Sequence, residues 1–113
     1  MAKSPDAGQL STAAVKELVD ASFRECCALL AETNDEQLIF DFFTCICTPA
    51  ERNDIGKRWL LVKELDRGTP QRDIASRFGM SLCKITRGSR ELNKPNSAFQ
   101  KMLERLVTLQ RDR

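Results

Sequence analysis

The sequence predicts an all-α fold of about six helices carrying a helix-turn-helix. Three observations predict it. Apolar residues recur at three- and four-residue intervals in each long segment. Helix starts built on Ser, Thr or Asn punctuate the chain. No stretch alternates polar and apolar residues as a half-buried strand would.

Residues 1–10, with Pro5 and Gly8, read as a flexible polar tail, leaving residues 11–113 as a single helical domain. A first helix is expected from Ser11 or Thr12, with Val15, Leu18, Val19, Phe23, Cys26, Cys27 and Leu30 at helical spacing. Asn34 reads as the next cap, completed as a capping box by Gln37. The helix after it carries Leu38, Ile39, Phe42, Phe43 and Ile46. It is apolar on too many sides for the surface of a lone monomer, so it is either central or lies at a dimer interface. In Thr48-Pro49-Ala50-Glu51, Thr48 caps, Pro49 takes the first helical position and Glu51 reaches back to the cap. That helix runs through Ile55, Trp59, Val62 and Leu65 to Gly68. Thr69-Pro70 starts a short helix to about Phe78, Gly79 breaks it, and Ser81 caps another that runs to about Asn93. After the turn Lys94-Pro95-Asn96-Ser97, a last helix presents one apolar stripe of Phe99, Met102, Leu103, Leu106 and Val107.

A chain of 113 residues is one domain's worth and buries a limited core by itself, which favours completion by a second copy. No apolar run approaches the roughly 20 residues of a membrane span, and residues 1–8 lack the apolar stretch of a secretory leader, so a cytoplasmic location is expected. Histidine is absent, which removes the commonest general base and metal ligand; with no nucleophile–base pairing in view, neither an enzyme nor a metal site is expected. The cysteines Cys26, Cys27, Cys45, Cys47 and Cys83 are odd in number and lack framework spacing. Four of the five sit in apolar surroundings and read as small reduced core residues. One intervening residue in Cys45-Ile46-Cys47 is not the usual zinc spacing. The net charge is only +2, yet residues 69–94 hold six basic residues against two acidic ones, a local +4 on a body of −2. A basic segment of this kind suits a partner bearing phosphates, or is simply a solvated helix face.

The segment from Gln71 to Gly88 decides between these. Two short helices crossing at close range need a small residue on the first, and Ala75 is there. The tight turn needs tolerance of positive φ, which Gly79 supplies. Ile74, Phe78, Met80, Leu82 and Ile85 have the spacing of a small shared core. Lys84, Thr86, Arg87, Ser89 and Arg90 make the outer face polar and basic, which a plain helical hairpin does not require. In such a unit the N-terminal part of the second helix enters the major groove. Met80, Ser81, Leu82, Cys83 and Lys84 are then expected at base edges, Gln71 and Arg72 near the backbone or groove edge, and Thr86 and Arg87 on the same DNA-facing surface.

Thr48-Pro49-x-Glu51-Arg52, Gly56-x-Arg58, Gln71-Arg72-Asp73-Ile74 and Ile85-Thr86-Arg87-Gly88-Ser89 together resemble the tryptophan repressor family, over residues 38–107. That family is itself among the repressors from which the docking mode just described is known. The resemblance implies an intertwined homodimer of six helices per chain, a palindromic double-stranded operator of tryptophan biosynthesis or transport genes, and L-tryptophan as corepressor, with no other cofactor. Carried over by matching motifs, Arg58 and Arg87 would flank the indole, Arg87 and Thr48 would hold the carboxylate, carbonyls near Cys45 and Cys47 would accept from the ammonium, and Gly88 would leave room for the ring. The chemistry is that of any amino-acid site: a cation for the carboxylate, orphaned helix-end carbonyls for the amine, a guanidinium slab for the ring.

Three features depart from the family pattern. The linker Gly68-Thr69-Pro70-Gln71 is one residue shorter; Glu91 stands where a small residue is usual beside the ligand amine; and Leu82-Cys83-Lys84 and Arg90 differ from the usual reading-helix residues. Two other readings remain open from residues alone: a constitutive helix-turn-helix DNA binder of the same fold without a ligand, and a helical interaction dimer that binds no DNA.

Overall fold

The computed structural model describes residues 8–112. It is all-helical in the order α1 (Thr12–Glu32), α2 (Glu36–Ile46), α3 (Pro49–Asp66), α4 (Gln71–Phe78), α5 (Leu82–Leu92) and α6 (Ala98–Arg111), with no strand among the described residues. The tail expected over residues 1–10 falls, for residues 1–7, outside the described residues; Gly8, Gln9 and Leu10 are exposed and outside any helix. The chain divides into two compact units, residues 1–46 and residues 47–113.

In the first unit, the Ser11 hydroxyl accepts from Ala14 N–H and starts α1 where the sequence places it. The start of α2 differs from expectation. Asp35, not Asn34, is the cap, its Oδ1 accepting from Leu38 N–H at 3.1 Å, and Gln37 Nε2 donates to Asp41 Oδ1 instead of reaching back. Asn and Asp are equally good caps, so the adjacent pair left the choice to the path of the chain after Thr33. Neither helix of this unit buries a residue. Phe23 is 71% exposed, and Val15, Leu18, Val19, Leu29, Leu38, Phe40 and Ile46 are exposed as well.

The second unit holds the core. Thr48 and Glu51 form the expected capping box, each side chain bonded to the other's backbone N–H. At the far end of α3, Gly68 lies at φ +85°, with its N–H on Leu65 O and that of Thr69 on Glu64 O. This paired closure satisfies the orphaned carbonyls of the last turn and sets the short linker. Thr69 N–H is used there, and α4 begins after Pro70 with no side-chain cap, so Thr69-Pro70 does not repeat the Thr48-Pro49 start.

Leu61, Ile74, Met80 and Ile85 form one buried cluster joining α3, α4, the turn and α5, with Leu60, Leu65, Ala75 and Phe78 against it. Val62, Leu92 and Leu103 form a second, flanked by Trp59, Phe99 and Leu106, which fastens α6. Only one edge of the α6 stripe is covered: Met102 and Val107 remain exposed. Glu64 is buried and paired with Arg67 at 2.9 Å, a contact the sequence reading missed although its three-residue spacing on a helix advertises it.

Two residues given both an inner and an outer role in the motif separate cleanly. Met80 is 6% exposed and belongs to the core, so it is corrected from the base-edge set; its side chain precedes α5 and drops into the space over Ile74. Leu82 is 61% exposed and leaves the core set. The cysteine expectation is corrected too. All five are free thiols, Cys26 and Cys47 half-buried and Cys27, Cys45 and Cys83 exposed, so none is a core residue of the single chain. Ile74→Ala is accordingly expected to cost roughly 2–5 kcal/mol in urea unfolding, and Leu82→Ala less than about 0.5 kcal/mol; comparable losses at both would contradict this packing.

Candidate functional site

α4, the three-residue turn Gly79–Ser81 and α5 make the helix-turn-helix. Gly79 sits at φ +63°, and the N–H groups of Gly79 and Met80 both return to Ala75 O, which closes α4 and turns the chain in minimal length. Ser81 then caps α5, its hydroxyl accepting from Lys84 N–H at 3.2 Å. Ile85 is fully buried, so the residues around it on α5 face outward. Gln71, Arg72, Ser81, Leu82, Cys83, Thr86 and Arg87, all expected on the DNA-facing surface, are exposed. Lys84 is only half-buried in the open; its ammonium sits on Asp54 Oδ1 at 2.6 Å.

On the side of α5 that meets α3 lies a cavity of about 620 Å³. That volume falls within the roughly 300–1,000 Å³ of small-molecule sites. Arg58, Arg87, Gly88 and Glu91, all expected at a ligand site, line it together. Leu61, Val62 and Phe99 supply an apolar floor that the sequence reading did not assign, and Ser81, Cys83 and Lys84 reach it from the start of α5. Cys47 and Thr48 do not line it, and the Thr48 hydroxyl is already accepting at the α3 cap. Cys45 lies exposed in α2, in the first unit.

Gly88 has a packing reason of its own. A Cβ there would stand 2.8 Å from Leu61 Cδ2 and 3.4 Å from its Cγ, so glycine lets α5 come this close to α3 without displacing the Leu61 side chain. The neighbouring charges are ordered. Asp54 Oδ2 accepts from Arg58 at 3.2 Å while Oδ1 takes Lys84. The Lys84 hydrogen bond holds the Asp54 carboxyl below the usual carboxylate value, outweighing the opposing effect of burial, and Arg58 adds to it. Glu91 is lowered in the same way, first by its 2.8 Å bond from Lys94 and further by Arg87 and Arg90, so both acids are anionic at neutral pH. The cavity therefore offers fixed charge of both signs over an apolar base. Asp54 was not singled out from sequence; its four-residue spacing to Arg58 was visible, its reach to Lys84 was not. Among the described residues no group of His, Cys, Asp and Glu is placed to hold a metal ion, and no helix is long and apolar enough to cross a membrane.

The sequence matches the model of the family described as Trp repressor protein over residues 21–107. A Trp operon repressor homolog of Chlamydia trachomatis serovar L2 is 27% identical over 94 residues, covering 82% of this chain and 100% of that protein. One of Chlamydia caviae is 33% identical over 79 residues, covering 69% of this chain and 78% of its own length. One of Actinobacillus succinogenes is 38% identical over 60 residues, covering 52% and 59%.

The Gly88 contact separates packing from ligand clearance. In ligand-free protein, Gly88→Val is expected to cost about 1–3 kcal/mol by overpacking against Leu61. Gly88→Ala should lie nearer neutral, since about 1 kcal/mol of helix propensity is regained. Chemical denaturation of both variants checks this; an unaltered Gly88→Val would mean that α5 does not depend on that approach.

Proposed function

The chain belongs to the Trp repressor family, and on that footing we propose that it is a DNA-binding transcription repressor whose hold on a palindromic operator is tightened by L-tryptophan. The observation that carries the reading is the joining of two things on one helix. α5 presents an exposed polar and basic surface beginning at Ser81, and the same helix walls a cavity through Ser81, Cys83, Lys84, Arg87, Gly88 and Glu91, with Arg58 facing them from α3. A ligand seated there touches α3 and α5 at once, so its binding bears on how the reading helix is held.

In this reading the apolar floor takes the indole, with the Arg58 and Arg87 guanidinium planes on either side of it. Arg87 binds the carboxylate, and the Glu91 carboxylate faces the ammonium. Gln71, Arg72, Ser81, Leu82, Cys83, Thr86 and Arg87 meet the DNA, cations fixing affinity and base-edge groups fixing sequence. No chemistry is required of the protein, whose work is binding. The operators would be those of tryptophan biosynthesis or transport genes, read in the cytoplasm.

A second copy completes the fold. α1 and α2 bury nothing within the chain, yet carry a run of large exposed apolar residues. Surfaces of that kind are rare on monomers and mark association. With the partner's helices over them, residues 11–113 become one domain of an intertwined homodimer with two reading helices.

A corepressor can raise DNA affinity only by its differential affinity for the DNA-competent arrangement, typically 5–150-fold. Titration of a tryptophan-operator-like palindrome with and without L-tryptophan is expected to show tightening of that order, and calorimetry should show Arg87→Ala losing tryptophan binding. Salt-dependent DNA binding indifferent to tryptophan would leave the constitutive reading. No binding above background at about 0.1 M salt would leave the interaction dimer. Sedimentation is expected to give a dimer; a stable monomer contradicts the proposed assembly.

A further inference from the structure

We propose that Asp54 is a positioning residue for the reading helix: its carboxylate straps Lys84, in the first turn of α5, to α3, so that Lys84 holds the helix in place instead of contacting DNA phosphate. This inference takes from the functional reading only that α5 reads the DNA.

The contact is unlike the ion pairs Lys16–Asp20, Glu64–Arg67 and Glu91–Lys94, which join residues three or four apart on one helix. Lys84 Nζ and Asp54 Oδ1 meet at 2.6 Å across 30 residues of chain, from α5 to α3. Both ends are prepared. Asp54 is held on its own helix by Arg58, which takes the second oxygen. Lys84 has its backbone N–H fixed by the Ser81 hydroxyl, and its neighbour Ile85 is sealed in the core. The first turn of α5, the part expected nearest the bases, is therefore fastened by the Ser81 cap, by Ile85 beneath and by the strap on its flank.

The polar periodicity of α5 marks Lys84 as an outward cation. The structure instead draws its side chain back along the cavity rim to Asp54 and leaves it half-buried. A phosphate contact would have to pull Lys84 from a carboxylate already in place, giving up one charge-assisted bond to make another. The same acid thus supplies a reason for a lysine at this position that owes nothing to DNA charge.

Electrostatics and positioning predict opposite signs for Asp54→Asn. Removing an acid near a DNA-facing surface should strengthen DNA binding if charge alone matters. If Asp54 positions α5, the variant should bind the operator about two- to fivefold more weakly, the range set by a partly exposed pair. Lys84→Met should weaken binding by a similar factor with an unchanged salt slope, whereas loss of a phosphate contact lowers that slope by about one. The double variant should be no worse than either single one, and Lys84→Arg should recover most of the affinity. Hydrogen exchange on DNA-free protein should show faster opening of the first-turn amides of α5 in both single variants. Tighter binding by Asp54→Asn, a reduced slope for Lys84→Met, additive losses, or unaltered exchange would each overturn the strap. The exchange measurement needs no DNA, so a wild-type chain that binds no operator, together with faster opening in both single variants, would defeat the functional reading and not the strap.

Discussion

The second unit turns on the close approach of α5 to α3 at Gly88 and Leu61. A side chain at Gly88 would press on the end of the Leu61 side chain, which is 2% exposed, so Leu61 would have to shift to admit it. Because the two helices meet there, Ile85 can share a buried cluster with Leu61 and Ile74, and α4 is drawn into the same cluster. The cavity beside Gly88 follows from this contact as well. It is the space left where Arg58, Arg87 and Glu91, too long and too charged to enter the core, diverge from the seam.

What was legible in the sequence was what one stretch of chain decides by itself. Thr48 with Glu51, Gly79 at positive φ and Ser81 as a cap were all visible because each solves a local problem of orphaned backbone groups. Where two neighbours could solve the same problem, pattern failed: Asn34 and Asp35 are equivalent caps, and only the exit of α1 at Thr33 settles which one serves. Met80 and Leu82 failed for a related reason. Both have apolar spacing relative to Ile85, and only the turn at Gly79 shows that Met80 falls inward and Leu82 outward. The cavity lining was half legible. Arg58, Arg87, Gly88 and Glu91 do share one cavity, while its apolar floor, contributed by α3 and α6, depends on tertiary packing that no spacing reveals.

Cys26, Cys27 and Cys45 fail the single-chain expectation together with the apolar faces of α1 and α2. Small apolar residues read as core require something to be buried against, and within the first unit none of them is more than half-buried. At about 25 cal/mol per Å² of apolar surface, leaving side chains such as Phe23, Leu18 and Val19 in water forgoes a large part of what such a short chain can gain on folding. The core expected of these helices is not formed within one chain. The reading head is different, since its core closes inside residues 47–113 and its local signals were therefore sufficient.

Magnitudes assign separate tasks to the contacts along the α3–α5 seam. Burial of Ile85 and Leu61 is worth several kcal/mol and decides that α5 lies against α3 at all. The Asp54–Lys84 strap joins side chains still 40% and 31% exposed, so water and salt screen it, and it can only trim the angle already set by packing. Arg58 stands between the two scales. It holds the second oxygen of Asp54 and also faces the cavity, and a guanidinium with five donors can serve both partners at once. A ligand engaging Arg58 therefore acts on the carboxylate that restrains Lys84, four residues along α3 from its own seat. Under the proposed function, coupling between a filled cavity and a steadied reading helix would need no long route through the molecule, since both ends of it lie on one arginine–aspartate pair.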